Sequence, residues 1–376
     1  MPDLTLILLG AGNSIRFGIR TKKQWLRSED VPLWLFLAKR LKNKLNINNI
    51  IIVANKNEIP YMKNFADFIF VEGGSERQLS LKNALKRVET KYVMVSDVAR
   101  VCLEDDFLQR LLCSIGDADI IVPYLNATDT VHFKERLIDR NEVKLIQTPQ
   151  ISRTDILQKA LKSEKIFTDD SSAVLAIGGS IKYIKGSNKA VKLTYYEDLN
   201  LTGCIQPPLK DTFYGLGYDV HRFEDDKKMF LGGVEINVPY GFKAHSDGDV
   251  ALHALCDALL GAIGYGDIGE LFPDNDEQYK NADSKKLLQK VVLFLYSVGY
   301  EICNIDLTII AQKPKITPYK DKIRKMVSNI LDIPTYKTNI KATTTEKMGF
   351  IGREEGVAAQ AIAGVKYFDW SKEVTI

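Results

Sequence analysis

Apolar and polar positions alternate along the chain on two periods. Short apolar runs at Leu4–Leu9, Ile50–Val53, Phe68–Val71 and Tyr92–Ser96 have the length of buried strands. Between them, Leu33–Leu45 and about Leu79–Val88 carry apolar residues at helical spacing. Strands alternating with helices predict a mostly parallel sheet covered by helices, with ligands at the carboxyl ends of the strands. From about Ala127 to Ile146 the pattern breaks into charged, extended sequence, which predicts an arm projecting from the sheet. Thr148-Pro149-Gln150 returns the chain to the body, and Tyr195–Leu201 reads as a last helix. The adjacent Pro207 and Pro208 cannot continue a helix and predict a short, stiff linker. The expected domains are therefore 1–208 and 209–376. In the second, Ser284–Ser297 and Pro318–Leu331 have helical patterns and Asn304–Ala311 alternates as a strand. Gly356–Val365 is alanine-rich, and its period does not decide between helix and strand.

Composition narrows the class. The chain has 376 residues, 45% hydrophobic and 26% charged, enough for two cores. A net charge of +3 without a long basic run argues against nucleic acid as a partner. The first apolar run is too short to span a bilayer and lacks the flanks of a signal peptide, so no membrane partner is expected. Five cysteines, Cys102, Cys113, Cys204, Cys256 and Cys303, show no CxxC spacing. They read as reduced thiols of a cytoplasmic protein.

Candidate chemistry gathers in two places. Three of the four histidines fall between Asp219 and His253. Asp219 and His221 are two apart, so an extended segment points both to one face. Asp249, His253 and Asp257 are four apart, along one face of a helix. Asp219, His221 and His253 together have the composition of an open divalent metal site, most naturally zinc. The alternative is one buried histidine beside a solvated acidic cap. In the first half, Gly10-Ala11-Gly12-Asn13-Ser14 follows a strand, as in loops whose N–H groups meet phosphates, although structural turns look the same. Arg16, Lys22 and Lys23 lie just beyond, placed for a triphosphate. No GxxxxGK[ST] is present, so this is not a P-loop. Asp97 ends a strand, where a carboxylate serves either as a Mg²⁺ holder on phosphates or as an ordinary helix cap.

An ordered set of motifs spans the first half: Gly-Ala-Gly-x-x-x-Arg16, Lys23-Gln24, Gly73-Gly74-x-x-Arg77-x-x-Ser80, Asp97-x-Ala-Arg100, Asp139-Arg140, Thr148-Pro149-Gln150, Thr168-Asp169 and Lys192. Residues from about 4 to 203 thereby resemble 2-C-methyl-D-erythritol 4-phosphate cytidylyltransferases, of Rossmann-like fold with a projecting arm. Two departures are visible: Asn13-Ser14 replace a usual glycine, and Val98 and Val101 stand where Ala and Pro are typical. The resemblance implies that Gly10, Ala11, Gly12, Arg16, Lys23, Gly74 and Ser80 bind CTP, with Mg²⁺ on the phosphates and Arg16 and Lys23 catalytic. It implies that Asp97, Arg100, Arg140, Thr148, Thr168 and Lys192 hold methylerythritol phosphate. It also implies that the arm with Arg140 crosses to a neighbouring subunit.

From Phe213 to Phe368 the motifs are Gly217-Tyr-Asp219-Val-His221, Ala-His245-Ser246-Asp247-Gly-Asp249-Val-Ala-Leu-His253, Gly266-Asp267-Ile-Gly269, Pro273-Asp274, Pro314-Lys315 and Lys341-Ala-Thr343-Thr344-Thr345-Glu346. This half resembles 2-C-methyl-D-erythritol 2,4-cyclodiphosphate synthases, α+β proteins that form trimers with sites between subunits. The resemblance implies zinc on Asp219, His221 and His253, and Mg²⁺ or Mn²⁺ on Glu346. It assigns substrate to His245, Ser246, Asp267, Asp274, Lys315, Thr343, Thr344, Phe350 and Arg353, with His245 and Asp267 also catalytic, and it favours a strand at Gly356–Val365. A sugar nucleotidyltransferase fused to a metal phosphohydrolase, or a nucleotide sensor with a structural metal, are the rival readings.

Overall fold

The computed structural model describes residues 3–47, 49–244, 246–272 and 282–372. The expected site residues His245 and Asp274 lie outside the described residues. Two compact units emerge, Met1–Pro207 and Pro208–Lys372.

The first unit is built on β1 (Leu4–Leu9), β2 (Ile50–Ala54), β3 (Ile69–Glu72), β4 (Tyr92–Asp97), β5 (Ile120–Asn126), β6 (Lys144–Ile146), β7 (Gln150–Arg153) and β8 (Ile181–Lys185). They form one sheet in the order β6-β5-β7-β4-β1-β2-β3, with β8 pairing β5. β1 runs parallel to both β2 and β4. Strand order reverses at β1, so the loops after β1 and β4 open on a crevice at the carboxyl ends. Ile7, Ile51, Val53, Val93 and Val95 are buried in one core beneath α2 (Arg77–Leu85). On α1 (Leu33–Leu45), Trp34, Leu37, Ala38, Leu41 and Leu45 form the buried stripe. That helix stops at Asn46, whose φ of 49° lies in the left-handed region.

The expected arm is a hairpin of Val131–Phe133 and Arg136–Ile138, after which β6 rejoins the sheet. The expected last helix is a 3-10 helix, Tyr196–Leu201; Asp198 accepts from Thr194 N–H and Tyr195 N–H and tightens the turn. One expectation is corrected outright. Cys102 and Cys204 are joined in a disulfide, leaving Cys113, Cys256 and Cys303 as free thiols. The two partners are 102 residues apart, so spacing could not reveal the pair. Folding zips their segments together: Leu193 N–H donates to Ala99 O at 2.9 Å, and Lys189 pairs with Glu104 at 2.9 Å.

The second unit has a five-stranded sheet of β9 (Thr212–Asp225), β10 (Tyr240–Phe242), β11 (Tyr300–Ile310), β12 (Thr338–Thr343) and β13 (Gly356–Tyr367), in the order β10-β9-β13-β11-β12. The alanine-rich segment is a strand, antiparallel to both β9 and β11. Its small side chains face α3 (Val250–Ala262), and Ala359, Ala361 and Ala363 are fully buried. α4 (Ser284–Ser297) covers α3 and buries Leu288, Val291 and Leu295. The opposite face of β9 is bare: Tyr214, Leu216, Tyr218 and Val220 are exposed, with Ile362 of β13 beside them.

The disulfide yields a direct expectation. Thiol titration of the unfolded, unreduced protein should find three reactive cysteines per chain and five after reduction. Closing a loop of about 100 residues is worth about 4–5 kcal/mol in the chain-entropy model, so reductant should visibly lower the denaturant midpoint of this unit. Five reactive thiols before reduction would refute the pairing.

Candidate functional site

In the first unit, sequence builds the crevice from small residues. Gly10 N–H donates to Val53 O at 2.8 Å, and a Cβ on Gly73 would lie 2.3 Å from Ala11 Cβ. The loops after β1 and β3 therefore touch, and only glycine fits the contact. Ser14 stands where a glycine was expected and takes φ 55°, a left-handed conformation costing a non-glycine residue about 1–2 kcal/mol. Its hydroxyl offsets this by accepting from Lys23 N–H at 3.1 Å and reaching Gln24 Oε1 at 3.3 Å. Buried Glu58, which the motifs did not indicate, accepts from Lys22 Nζ and Trp25 Nε1, each at 2.6 Å. It pins the segment that carries Lys23.

Charge defines the crevice. Asp97 pairs with Lys192 at 2.6 Å and with Arg77 at 3.5 Å. Arg77 also forks onto Asp170 at 2.6 and 3.4 Å. Burial opposes ionisation of Asp97, but Arg77 and Lys192 outweigh it and hold its carboxyl below the usual range. Asp97 is thus held by cations. Lys23 donates to Leu193 O at 2.9 Å. Burial, and then the nearby Lys192 and Arg16, lower its pKa. Burial likewise lowers that of Arg100, which bonds Ala190 O. Cations that hold their protons less firmly mark a place short of negative charge, suited to an anion.

The structure thus gathers Gly10, Ala11, Lys23, Gly74, Ser80, Asp97, Arg100, Thr148 and Lys192. Gly74 N–H donates to Ser80 Oγ at 3.0 Å, and Asp97 N–H reaches Thr148 Oγ1 at 3.5 Å. Gly12 accepts from Gln24 Nε2 at 3.2 Å, and exposed Arg16 lies in electrostatic range of Lys23. Thr168 is exposed just before the capping Asp169. Arg140 bonds Thr128 O on its own arm. The Arg77–Asp170 pair was missed as a functional feature, because only folding brings α2 against the helix Asp170–Ala176.

In the second unit, Asp219 and His221 share a face of β9, and His253 faces them from α3. His221 Nδ1 and His253 Nδ1 lie 3.1 and 3.2 Å from Asp219 Oδ2. All three ligand atoms fall within 4.8 Å of one another. A tetrahedral ion with bonds of about 2.0–2.1 Å separates its ligands by about 3.3 Å, so the spacing fits. Among the described residues His221 Nδ1 is buried with no aligned hydrogen-bond partner despite its closeness to Asp219, as expected of a nitrogen aimed at a shared ion. Burial disfavours charge on Asp219, but the two histidines outweigh it and drive its carboxyl far below the normal range. Burial also opposes protonation of His253; Asp219 reverses this and raises its pKa.

Asp249 and Asp257, on the same helical face, do other work. Asp249 is buried and accepts from Gly232, Gly233 and Leu252 N–H groups, fixing the start of α3. Asp257 accepts from Ile268 N–H at 2.8 Å and so ties the turn carrying Asp267 to the metal helix. Ser246 Oγ lies 3.4 Å from His253 Nε2. Lys315, Thr343, Thr344 and Glu346 gather beyond the carboxyl ends of parallel β11 and β12, where Ala311 N–H bonds Thr343 O and Thr344 Oγ1 bonds Glu346. Phe350 lies in the short helix Gly349–Gly352 that follows, and Arg353 caps its end. Val220, Ala358, Ile310 and Thr343 stand in one line of register, so Thr343 lies three strands, or about 14 Å, from the strand of the triad, whereas Phe350 lines one cavity with His221.

Fold and sites together define a two-part metabolic enzyme: a nucleotidyltransferase-type α/β unit with an anion crevice, and an α+β unit with a candidate divalent-metal centre. Comparison with known proteins gives the family. Residues 4–206 match the 2-C-methyl-D-erythritol 4-phosphate cytidylyltransferase family, and residues 212–366 match the YgbB family. A bifunctional enzyme IspD/IspF of Aliarcobacter butzleri is 55% identical over 99% of this chain and 100% of its own. One of Sulfurimonas denitrificans is 54% identical over 99% and 96%. The solved structure of the bifunctional IspDF from Campylobacter jejuni superposes with a TM-score of 0.88 at 44% identity, covering 98% of this chain and 100% of that one. The chain belongs to the bifunctional IspD/IspF family. It transfers CMP from CTP to 2-C-methyl-D-erythritol 4-phosphate in isoprenoid-precursor synthesis, and it carries the cyclodiphosphate synthase activity.

The Asp97 network sets a pH dependence. Its folded pKa lies below the unfolded value of about 3.9, so its stabilisation is present above that pH and lost as pH falls through the folded value. Asp97→Asn should destabilise the first unit at neutral pH and flatten its acid limb. Urea unfolding across pH 2–6 measures both, and an unchanged slope would count against the network.

Proposed function

We propose that the crevice of the first unit performs the cytidylyl transfer and that the Asp219–His221–His253 triad performs the cyclisation, with domains 1–208 and 209–376 as the functional halves. For transfer, the substrate phosphate attacks the α-phosphorus of CTP and pyrophosphate leaves. That nucleophile is already ionised, so the protein needs to align groups and stabilise growing charge. Gly10, Ala11 and Gly12 cradle phosphates, Arg16 and Lys23 meet the α-phosphoryl oxygens, and Gly74 and Ser80 read cytosine. Asp97, Arg100, Arg140, Thr148, Thr168 and Lys192 hold methylerythritol phosphate. The observation that carries this half is the gathering of Arg77, Lys192, Arg100 and Lys23 around the one carboxylate of Asp97.

For cyclisation, the 2-phosphate of the cytidyl intermediate attacks the β-phosphorus and CMP leaves. Asp219, His221 and His253 would hold zinc, and Glu346 a Mg²⁺ or Mn²⁺; nitrogen donors suit the first ion and oxygen the second. Such ions supply Lewis acidity toward phosphate oxygens. His245, Ser246, Asp267 and Asp274 orient the substrate, with His245 and Asp267 at the reacting end. Lys315, Thr343, Thr344, Phe350 and Arg353 hold its nucleotide end. About 14 Å between the triad's strand and Thr343 within one chain is more than adjacent phosphates of one diphosphate can bridge. This separation, with the bare apolar face of β9, supports a homotrimer whose sites are completed by neighbours. Phe133 and Leu137, exposed on the arm, support a second, dimeric contact there. Among the described residues no helix is long and apolar enough to cross a membrane, and the metabolic role favours the cytoplasm.

Two substitutions in the intact protein separate the activities. Lys23→Ala should lower kcat for CMP transfer by roughly 10²-fold, with a smaller change in KM for CTP, and leave cyclisation intact. His253→Ala should lose the roughly one zinc per chain and the release of CMP, while CTP turnover persists. Full zinc content in the His253 variant, or a Lys23 defect confined to KM, would overturn the respective assignment.

A further inference from the structure

His253 has two ring nitrogens, and the structure shows what faces each. Nδ1 points to Asp219 Oδ2 at 3.2 Å, toward His221. Nε2 meets Ser284 Oγ at 2.9 Å, with Ser246 Oγ farther away at 3.4 Å. Ser284 is the first residue of α4 and is completely buried. Its O–H donates to Asp247 Oδ1, and its backbone N–H donates to Asp247 Oδ2 at 3.2 Å. Asp247 Oδ1 also accepts from Asp249 N–H at 3.3 Å, so the carboxylate is ringed by donors and offers only acceptors.

The proton positions follow. A serine has one hydroxyl hydrogen, and Asp247 takes it. Toward His253 the Ser284 oxygen is left as an acceptor, so Nε2 carries a ring proton. Asp219 Oδ2 faces Nδ1 as a second acceptor, so a bound metal displaces the Nδ1 proton while Ser284 keeps the one on Nε2, and the lone pair freed on Nδ1 is aimed at the point shared by Asp219 and His221. We infer that Ser284, oriented by Asp247, is a positioning residue that fixes the donor tautomer and ring plane of His253. Partners of this kind commonly set metal affinity from outside the ligand shell. The inference deepens the metal-site reading and rests on it. Neither residue has metal-ligand spacing in the sequence; α4 brings Ser284 to the triad only when it packs across α3.

The test uses the full-length protein and zinc alone, with affinity read by competition against a chromophoric chelator. Wild type should bind one zinc per chain; no binding would defeat the metal site itself. Given that binding, Ser284→Ala should weaken affinity by about 10–100-fold. Asp247→Asn is a second route that spares the buried serine. Its amide oxygen must still accept from Ser284 N–H, so its NH₂ faces Ser284 Oγ. The serine hydrogen then turns to Nε2 and favours the wrong tautomer, with a similar loss. Nitrogen-15 histidine spectra of the metal-free protein at alkaline pH give an independent readout. Wild type should show His253 protonated at Nε2, and both variants should shift toward Nδ1–H. Zinc affinity within about twofold of wild type in both folded variants, or a wild-type ring lacking the Nε2 proton, would overturn the inference.

Discussion

The second unit depends on one close approach, that of strand β9 against helix α3. A Cβ on Gly217 would lie 1.8 Å from Ala254 O, and one on Gly215 2.0 Å from Ala258 O. No side chain fits between strand and helix at these points. Alanines at 359, 361 and 363 extend the contact across β13. Backbone-to-backbone proximity lets His253, one turn along the helix, reach the carboxylate of Asp219 on the strand. Asp249 seals the start of the same helix on the Gly232–Gly233 turn, so the metal ligand sits on an element fixed at its origin. The candidate metal centre is thus a product of small-residue packing as much as of its ligands.

The first unit uses a different constraint, a chain of alternating charges. Asp170, Arg77, Asp97 and Lys192 come from two helices, a strand end and the segment before the final 3-10 helix. Their pairing closes the crevice on one side, while Lys23 and Arg100 remain held by backbone carbonyls. Burial disfavours the charged forms of these last two, and an anion beside them would offset that cost. The Cys102–Cys204 bridge and the Lys189–Glu104 pair fasten the segment that brings Lys192 into place. The two units therefore reach anionic substrates by separate means: a surplus of fixed cations in one, a donor set for a divalent ion in the other.

The sequence by itself determined part of the element list, because periodicity is a local property. Leu4–Leu9, Leu33–Leu45 and Ser284–Ser297 match the observed bounds. It also pointed to the candidate metal triad, since Asp219 and His221 share a strand face and histidines are rare enough for their clustering to inform. Ordered motifs carried the family, which the comparisons support along both halves. Only the tertiary structure decided the rest. Whether Gly356–Tyr367 is helix or strand was settled by pairing with β9 and β11 on either side. The cysteine pair, the Arg77–Asp170 fork and the Ser284–Asp247 support join residues 102, 93 and 37 positions apart, contacts that no local pattern encodes. Where chemistry needs a residue type, the sequence shows it; where chemistry needs an orientation, a distant segment supplies it, and only packing brings that segment near.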